Sequence, residues 1–473
     1  MPALLLAGCA SYTPKPLAPE DVVARAALTR AQPDAEGPAP AGPVTFVQAA
    51  RWMLAHGPEV REAVAAYETS LARAGRKTPL PNPGLEIGPQ FGFGPDQGPV
   101  NAWSPFGSIG FTIPLGKRLR RQDELNRALA DVARVEALVR HREIYLELRG
   151  RYSELALARR REAERAEIVA SARKAALAAR KLVEAGQATA LDVALFDLDL
   201  MQVEAESLEA RRETARAGAG LARAVGVRAD LFAALPAGAL PVLPASIPGE
   251  EELKTQLVAH HPELARLRAR YEAAERELRL EIARQWPDFT FGPSFDSESG
   301  EKRTVVGLTL GLEIPFFDRN EQGIAEAERR REEVRVRYEA AANRALAGLE
   351  AARADLELAR SMAALVRDTM APRAARNIEL AQRAVEAGAG DVLKLLDAER
   401  SHRAVRLRAL EADLAERAAW VALESAVGQP LLRFPGEEAD VEAPPGLGGA
   451  ESAQDGADED EMPYLNDGEE PGE

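Results

Sequence analysis

The stretch from Lys117 to Glu184 contains no proline and one glycine, Gly150, and nearly every other position is a good helix former such as Ala, Leu, Arg or Glu. Its apolar residues recur at steps of three and four, as in Leu125, Leu129, Val132, Val135 and Val139, which is the period of a helix. At a rise of about 1.5 Å per residue, such a helix is about 100 Å long. That is several times the width of a compact domain, so the helix must bridge a distance. The chain builds it twice: a second such run extends from Gln322 to Ala387, where Pro372 predicts a kink.

Ahead of each long helix the period drops to two. Leu85, Ile87, Pro89, Phe91 and Phe93 alternate with Glu86, Gly88, Gln90, Gly92 and Gly94, and Ile109, Phe111, Ile113 and Leu115 alternate with small or polar residues. The second pair reads Phe289, Phe291, Phe295, then Val306, Leu308, Leu310, Leu312 and Ile314. These strands, about nine to eleven residues long, have the length that crosses a bilayer when tilted. One apolar and one polar face is the pattern of a transmembrane barrel; a soluble hairpin that buries one face has the same period. Shorter helices flank them, from Thr45 to Arg76 and from Ala190 to Val225 in the first half.

The halves are copies. His56-Gly57-Pro58-Glu59-Val60 returns as His260-His261-Pro262-Glu263-Leu264, Asn82-Pro83 as Trp286-Pro287, Val183-Glu184-Ala185-Gly186 as Val385-Glu386-Ala387-Gly388, and Gly226 as Gly428, each roughly 200 residues further on. In each half the two short helices laid end to end match the long one, giving two columns per half. The fold class predicted is mainly α with a small β part, internally duplicated. Four strands close no barrel, since the smallest in membranes have about eight, and an open sheet in lipid leaves backbone edges unsatisfied. If these strands lie in a membrane, several chains must share one barrel.

Composition narrows the partners. The formal charge of -15 is concentrated in the tail: no Lys, Arg or His follows Arg433, and Glu437 to Glu473 carry fourteen carboxylates. The body is therefore nearly neutral and offers no basic patch for nucleic acid. The single cysteine excludes an internal disulfide. It stands in Leu6-Ala7-Gly8-Cys9, which resembles a bacterial lipobox with Cys9 as the acylated residue and Ala10 favouring the outer membrane. So short a leader reads as a truncated signal, with the true start expected upstream.

The expected division is residues 1–9 as signal and lipobox, 10–43 as an extended Pro/Ala-rich tether, 44–228 as the first repeat, 229–249 as a linker, 250–432 as the second repeat, and 433–473 as an acidic disordered tail. Phosphate-loop, dinucleotide and zinc-protease motifs are absent, as is any Cys/His cluster. The expectation is no enzyme, no cofactor and no metal site, with His56, His260 and His261 structural or at the surface.

Leu80-Pro81-Asn82-Pro83, Leu115-Gly116-Lys117-Arg118, Gln285-Trp286-Pro287-Asp288, the run Ile314-Pro315-Phe316-Phe317-Asp318-Arg319-Asn320-Glu321-Gln322-Gly323 and the glycine turns at Gly186 and Gly388 together resemble the TolC-type outer-membrane efflux channels. The resemblance runs from Thr45 to Leu432 and is nearest to the outer-membrane components of cobalt–zinc–cadmium-type heavy-metal resistance pumps. It implies a homotrimer in outer-membrane lipid: a β-barrel shared by three chains, continued by a long α-helical barrel through the periplasm. It implies a periplasmic adaptor (membrane fusion) protein and an inner-membrane proton-driven resistance-nodulation-division pump as partners. The turns at Gly186 and Gly388 correspond to the periplasmic tips that dock the adaptor. Asp192 just past the first turn, and Asp391, Lys394 and Asp397 past the second, are the candidate gate: in the resembling channels acidic residues a few positions beyond the second turn ring the periplasmic mouth, and Asp397 and Lys394 match those positions. Lys394 departs from that pattern and stands at i, i+3 spacing to pair with Asp397. A periplasm-spanning coiled-coil or adaptor lipoprotein without a pore is the alternative, and it leaves the four strands unexplained.

Overall fold

The computed structural model describes residues 12–31, 42–91, 103–186, 188–236, 238–298, 303–387 and 392–437. Helix α1 (Pro19–Ala31) precedes α2 (Phe46–His56) and α3 (Pro58–Ala74), strands β1 (Gly84–Phe91) and β2 (Trp103–Pro114), the long α4 (Arg118–Glu184) and the returning α5 (Ala190–Val225). The second half repeats the order with α6 (Glu250–His260), α7 (Pro262–Ala283), β3 (Asp288–Glu298), β4 (Arg303–Leu312), α8 (Glu321–Leu365), α9 (Ala371–Glu386) and α10 (Val392–Val427). Helix α4 runs 67 residues without a break.

The helices stand in four columns. On one side α4 packs against α3 and α5, which stack end to end; on the other it packs against α7 and α10, and α8 and α9 lean on the far side of that pair. Close approach of the columns follows from a seam of buried small residues along α4, including Ala130, Ala137, Ala172, Ala176 and Ala179. Two larger cores sit at mid-height and match by repeat: Phe46, Met53, Leu148, Tyr152, Leu221 and Phe232 in one, and Leu253, Leu257, Leu349, Leu356, Trp420 and Leu423 in the other.

The single helix expected from Thr45 to Arg76 is broken at Gly57. Pro58 has no backbone N–H to donate and forces the preceding residue out of helical geometry, so Gly57 stands at ψ 123°. The same break recurs at His261, also with ψ 123°, ahead of Pro262. Each break has a partner. Gly226 and Gly428, in the left-handed region at φ +83° and +87°, lie so close to the prolines that an added methyl group would stand 3.5 Å from Pro58 and 2.7 Å from Pro262. The markers that recur in the sequence are therefore in contact within each repeat.

Three further expectations are corrected. The tether is not extended throughout, because Pro19–Ala31 is helical, with Glu20 and Asp21 favourably placed in its first turn; its Arg30 carbonyl accepts from the Arg228 amide. The tail does not begin at 433: Phe434 is buried in the first core, and Glu437 accepts from the Tyr145 hydroxyl and the Arg149 guanidinium. The kink expected at Pro372 is taken up one turn earlier, in a π turn at Val366–Met370, where a wider turn accommodates the missing proline donor.

The strands form one antiparallel sheet in the order β1-β2-β3-β4. Its registers place Leu85 opposite Ile109, Phe111 opposite Phe291, Ile113 opposite Phe289, and Phe289, Phe291 and Phe295 opposite Leu312, Leu310 and Val306. One face is thus apolar across all four strands. The other carries Glu86, Ser108, Ser294 and Gly307 in one row and Thr112, Thr290 and Gly311 in another. Strands β1 and β4 are the open edges.

Sheet and helices join where two of the sequence motifs meet. Gly116, at φ +70°, lies flat on the Trp286 side chain, and a methyl group there would fall 2.4 Å from the indole ring. Beside it Arg118 pairs with Asp288 at 2.9 Å. Both long helices then start from a non-glycine residue in the left-handed region, Lys117 and Asn320. Gly116→Val is expected to cost about 2–4 kcal/mol per chain, from backbone strain and overpacking. Trp286→Ala in the same chain should recover the overpacking part, which a double-mutant cycle on denaturant midpoints would read; equal losses in the presence and absence of Trp286 would refute the contact.

Candidate functional site

The helical tip is made by two hairpins, α4–α5 and α9–α10. At the first, Gly186 turns the chain in the left-handed region at φ +71° with open space around it, and Thr189 caps α5. Asp192 is used in that cap. Its carboxylate accepts from the Thr189 amide at 2.7 Å and the Thr189 hydroxyl at 2.8 Å, and these bonds hold its pKa below the ordinary value. Gly388 and Asp391 of the second turn, and Cys9, lie outside the described residues. Lys394 and Asp397 are both exposed, and among the described residues they form no ion pair with each other. An exposed pair at this spacing gains only a few tenths of a kcal/mol, roughly what holding two long side chains in place costs.

The structure gathers a different set of charges. Asp199 on α5 is 6% exposed and lies between two guanidinium groups of α10, bonding Arg400 at 2.8 Å and also Arg403. Glu399 stands beside them. Burial pushes its carboxyl above the ordinary value, Arg403 draws it back and Asp199 adds to the rise. The bridge joins the returning helices of the two repeats above a small apolar cluster of Ala176, Ala179, Phe196 and Leu396. A signal for it exists in the sequence: Phe196, Asp199, Val203, Ser207 and Ala210 are buried at helical spacing, so a carboxylate occupies a core position.

Ion pairs also distinguish the hairpins. Arg161–Glu213 at 2.8 Å, Arg173–Glu204 at 2.7 Å and Arg180–Asp197 at 2.8 Å zip α4 to α5. Arg160–Asp413 at 2.6 Å and Arg406–Glu164 at 2.7 Å tie α10 to α4. Among the described residues no ion pair joins α9 to α10. The second hairpin thus has no such zip among the described residues, while α10 is braced to the first repeat.

At the opposite end the apolar face of the sheet is uncovered, with Ile87 77% and Val306 76% exposed. No described helix is long and apolar enough to cross a membrane, and no group of three His, Cys, Asp or Glu among the described residues is placed to hold a metal ion. A sheet with a lipid-compatible face, standing on columns about 100 Å tall, is the architecture of a barrel-and-tunnel membrane channel.

The comparisons agree. A family model described as outer membrane efflux protein matches residues 53–227 and 253–429, one segment per repeat, and the chain belongs to that family of outer-membrane efflux channels. The cobalt-zinc-cadmium resistance protein CzcC of Cupriavidus metallidurans is 29% identical over 241 residues, which cover 50% of this chain and 56% of that relative. The match thus spans little more than half of the relative's length. A membrane protein from Pseudomonas aeruginosa has a TM-score of 0.67 at 19% identity, covering 83% of this chain and 96% of that one. CusC, whose structures concern folding and transmembrane channel formation, has a TM-score of 0.65 at 18% identity, covering 82% and 92%. The fold is that of the TolC-type channels, a helical barrel joined to a β-barrel; family and neighbours are channels, not enzymes.

The Glu399 shift has a definite sign. A carboxyl whose pKa is raised on folding binds its proton more tightly in the folded state. The stability it lends is present at low pH and is lost as pH rises through and above its ordinary value of 4.5. Glu399→Gln should therefore slow amide exchange around 395–405 at pH 7 and leave it unchanged near pH 4, after correction for intrinsic rates. Faster exchange at pH 7 would show that the ionised carboxylate stabilises the tip.

Proposed function

We propose that the chain is the exit duct of a tripartite efflux system, working as a homotrimer that passively conducts heavy-metal cations delivered by an inner-membrane proton-driven pump and a periplasmic adaptor. The observation that carries this reading is the pair of open sheet edges, β1 and β4, on a sheet whose apolar face is bare. In hydrocarbon each unpaired backbone group costs several kcal/mol, and joining β4 of one copy to β1 of the next removes every edge. The helical columns repeat the logic, since α3 and α5 form one outer column and α8 and α9 the other. The substrate class is supported by the relative named for cobalt, zinc and cadmium resistance and by Glu86 on the face of the sheet turned away from lipid, where acids raise the local cation concentration.

In this reading Cys9 carries lipid as a second anchor, and the turns at Gly186 and Gly388 meet the adaptor. Cys9→Ala should remain in the detergent-requiring membrane fraction with the mass of three chains by light scattering, because the strands themselves hold it there. Release as a soluble monomer would instead favour a periplasm-spanning lipoprotein without a pore.

Asp391 and Asp397 narrow the mouth in this reading, and the Asp199 bridge keeps α10 in its closed position. In planar bilayers Asp397→Ala and Asp391→Ala should weaken cation preference and block by multivalent cations, whereas Asp199→Ala should raise conductance several-fold with preference retained. Unchanged currents in all three would place the constriction elsewhere.

A further inference from the structure

Halfway along the columns, outside both the tip and the sheet, α4, α6, α10 and the segment after α10 enclose a cavity of about 540 Å3. Its walls carry polar groups with nothing to bond. His141 Nε2, Gln256 Oε1 and Trp420 Nε1 are all buried and unpartnered, in residues of which His141 is 8% and Trp420 0% exposed. A buried polar atom left without any bond costs about 1–3 kcal/mol, so three on one cavity mark it as a polar site able to take a ligand. Two cations line the same space. Arg142 reaches only the imidazole and carbonyl of His260, at 3.4 and 3.5 Å, and among the described residues neither Arg142 nor Arg433 has a carboxylate partner. Burial, with Arg142 adding to it, pushes His141 down to about 4, so its ring is neutral at neutral pH.

The carboxylates on the wall do not fill this need. Glu437 is committed to Tyr145, Arg149 and the Phe434 amide, and Glu252 accepts from the Gln256 amide group. The empty space therefore presents two guanidinium groups and an indole N–H to an anion, and one amide oxygen to a donor. A carboxylate side chain on a peptide supplies both, the acid to the cations and a backbone N–H to Gln256. Such a peptide begins at the rim. Glu437 lines the cavity, and the chain continues as Glu438-Ala439-Asp440-Val441-Glu442, which extends up to about 17 Å at 3.3–3.6 Å per residue.

We propose that this cavity binds an acidic peptide segment and that the chain's own tail, through Glu438, Asp440 or Glu442, is its occupant. The tail is thereby pinned halfway along the columns. The site is independent of the conducted substrate and of the reading given above.

Trp420 reports on it directly. The protein contains four tryptophans, so labelling the full chain with 5-fluorotryptophan gives one fluorine resonance for each, and Trp420→Phe assigns the one of interest. Replacing Glu438→Gln, Asp440→Asn and Glu442→Gln together in the full-length protein should shift the Trp420 resonance and leave the other three in place. A chain ending at residue 437 should show the same shift, and a synthetic peptide of residues 438–461 should reverse it in a salt-dependent titration that Arg142→Gln abolishes. An unmoved Trp420 resonance in the triple variant overturns the proposal. Reversal by acetate at the same concentration as the peptide also overturns it, because the cavity then takes small carboxylates and not the tail.

Discussion

One guanidinium group ties the two repeats and the C-terminal segment together. Arg149 of α4 is 1% exposed. It donates to Glu424 of α10 at 2.9 Å, to the Leu432 carbonyl and to Glu437. Aromatic rings of Phe46, Tyr145 and Phe434 surround it, their centroids within 5.0 to 5.9 Å of the charge. A buried charge of this kind adds little net stability over an apolar core, but removing one partner leaves the other unpaired at a cost of about 3–5 kcal/mol. Its geometry holds residues 432–437 against the columns. Glu424 also accepts from the amides of Leu431 and Leu432 at 2.8 and 2.6 Å, which turns the chain after α10 back across the columns and builds the wall of the waist cavity.

Duplication and divergence divide the remaining work. The proline breaks in the short helices, the left-handed glycines packed against them and the paired mid-height cores are common to both repeats, and they make columns of equal height. Divergence is concentrated where the second long helix differs from the first. An unbroken α4 zipped to α5 by ion pairs gives a stiff hairpin, whereas α8 and α9 are divided by a π turn and α9 lacks such pairs to α10 among the described residues. Among the described residues, fewer ion pairs therefore resist local separation of α9 from α10 than of α5 from α4.

Much of the fold was legible in the residues. Helical and strand periods, the offset between repeats and the Gly116 and Trp286 motifs located every long element, because periodic burial leaves its pattern along the chain. The Asp192, Lys394 and Asp397 positions were legible only as acids and a base near a turn. Their sequence does not say that Asp192 is taken up by the Thr189 cap or that Lys394 and Asp397 remain apart, since those outcomes depend on competing partners. Asp199, Arg403 and Arg149 stand at core positions in otherwise apolar stripes, a visible anomaly, but each one's partner lies more than 200 residues away along the chain.

By itself the sequence determined the lengths: columns of matched height, strands long enough for a bilayer, and an internal copy of both. Each is a local property, fixed by how many residues of one period lie between two breakers. Tertiary structure alone decided which charges meet, which strand edges stay open, and that residues 433–437 belong to the body and not to the tail. Those outcomes depend on distances through space between segments remote in the chain, where burial makes a partner obligatory and local pattern carries no record of which partner it is.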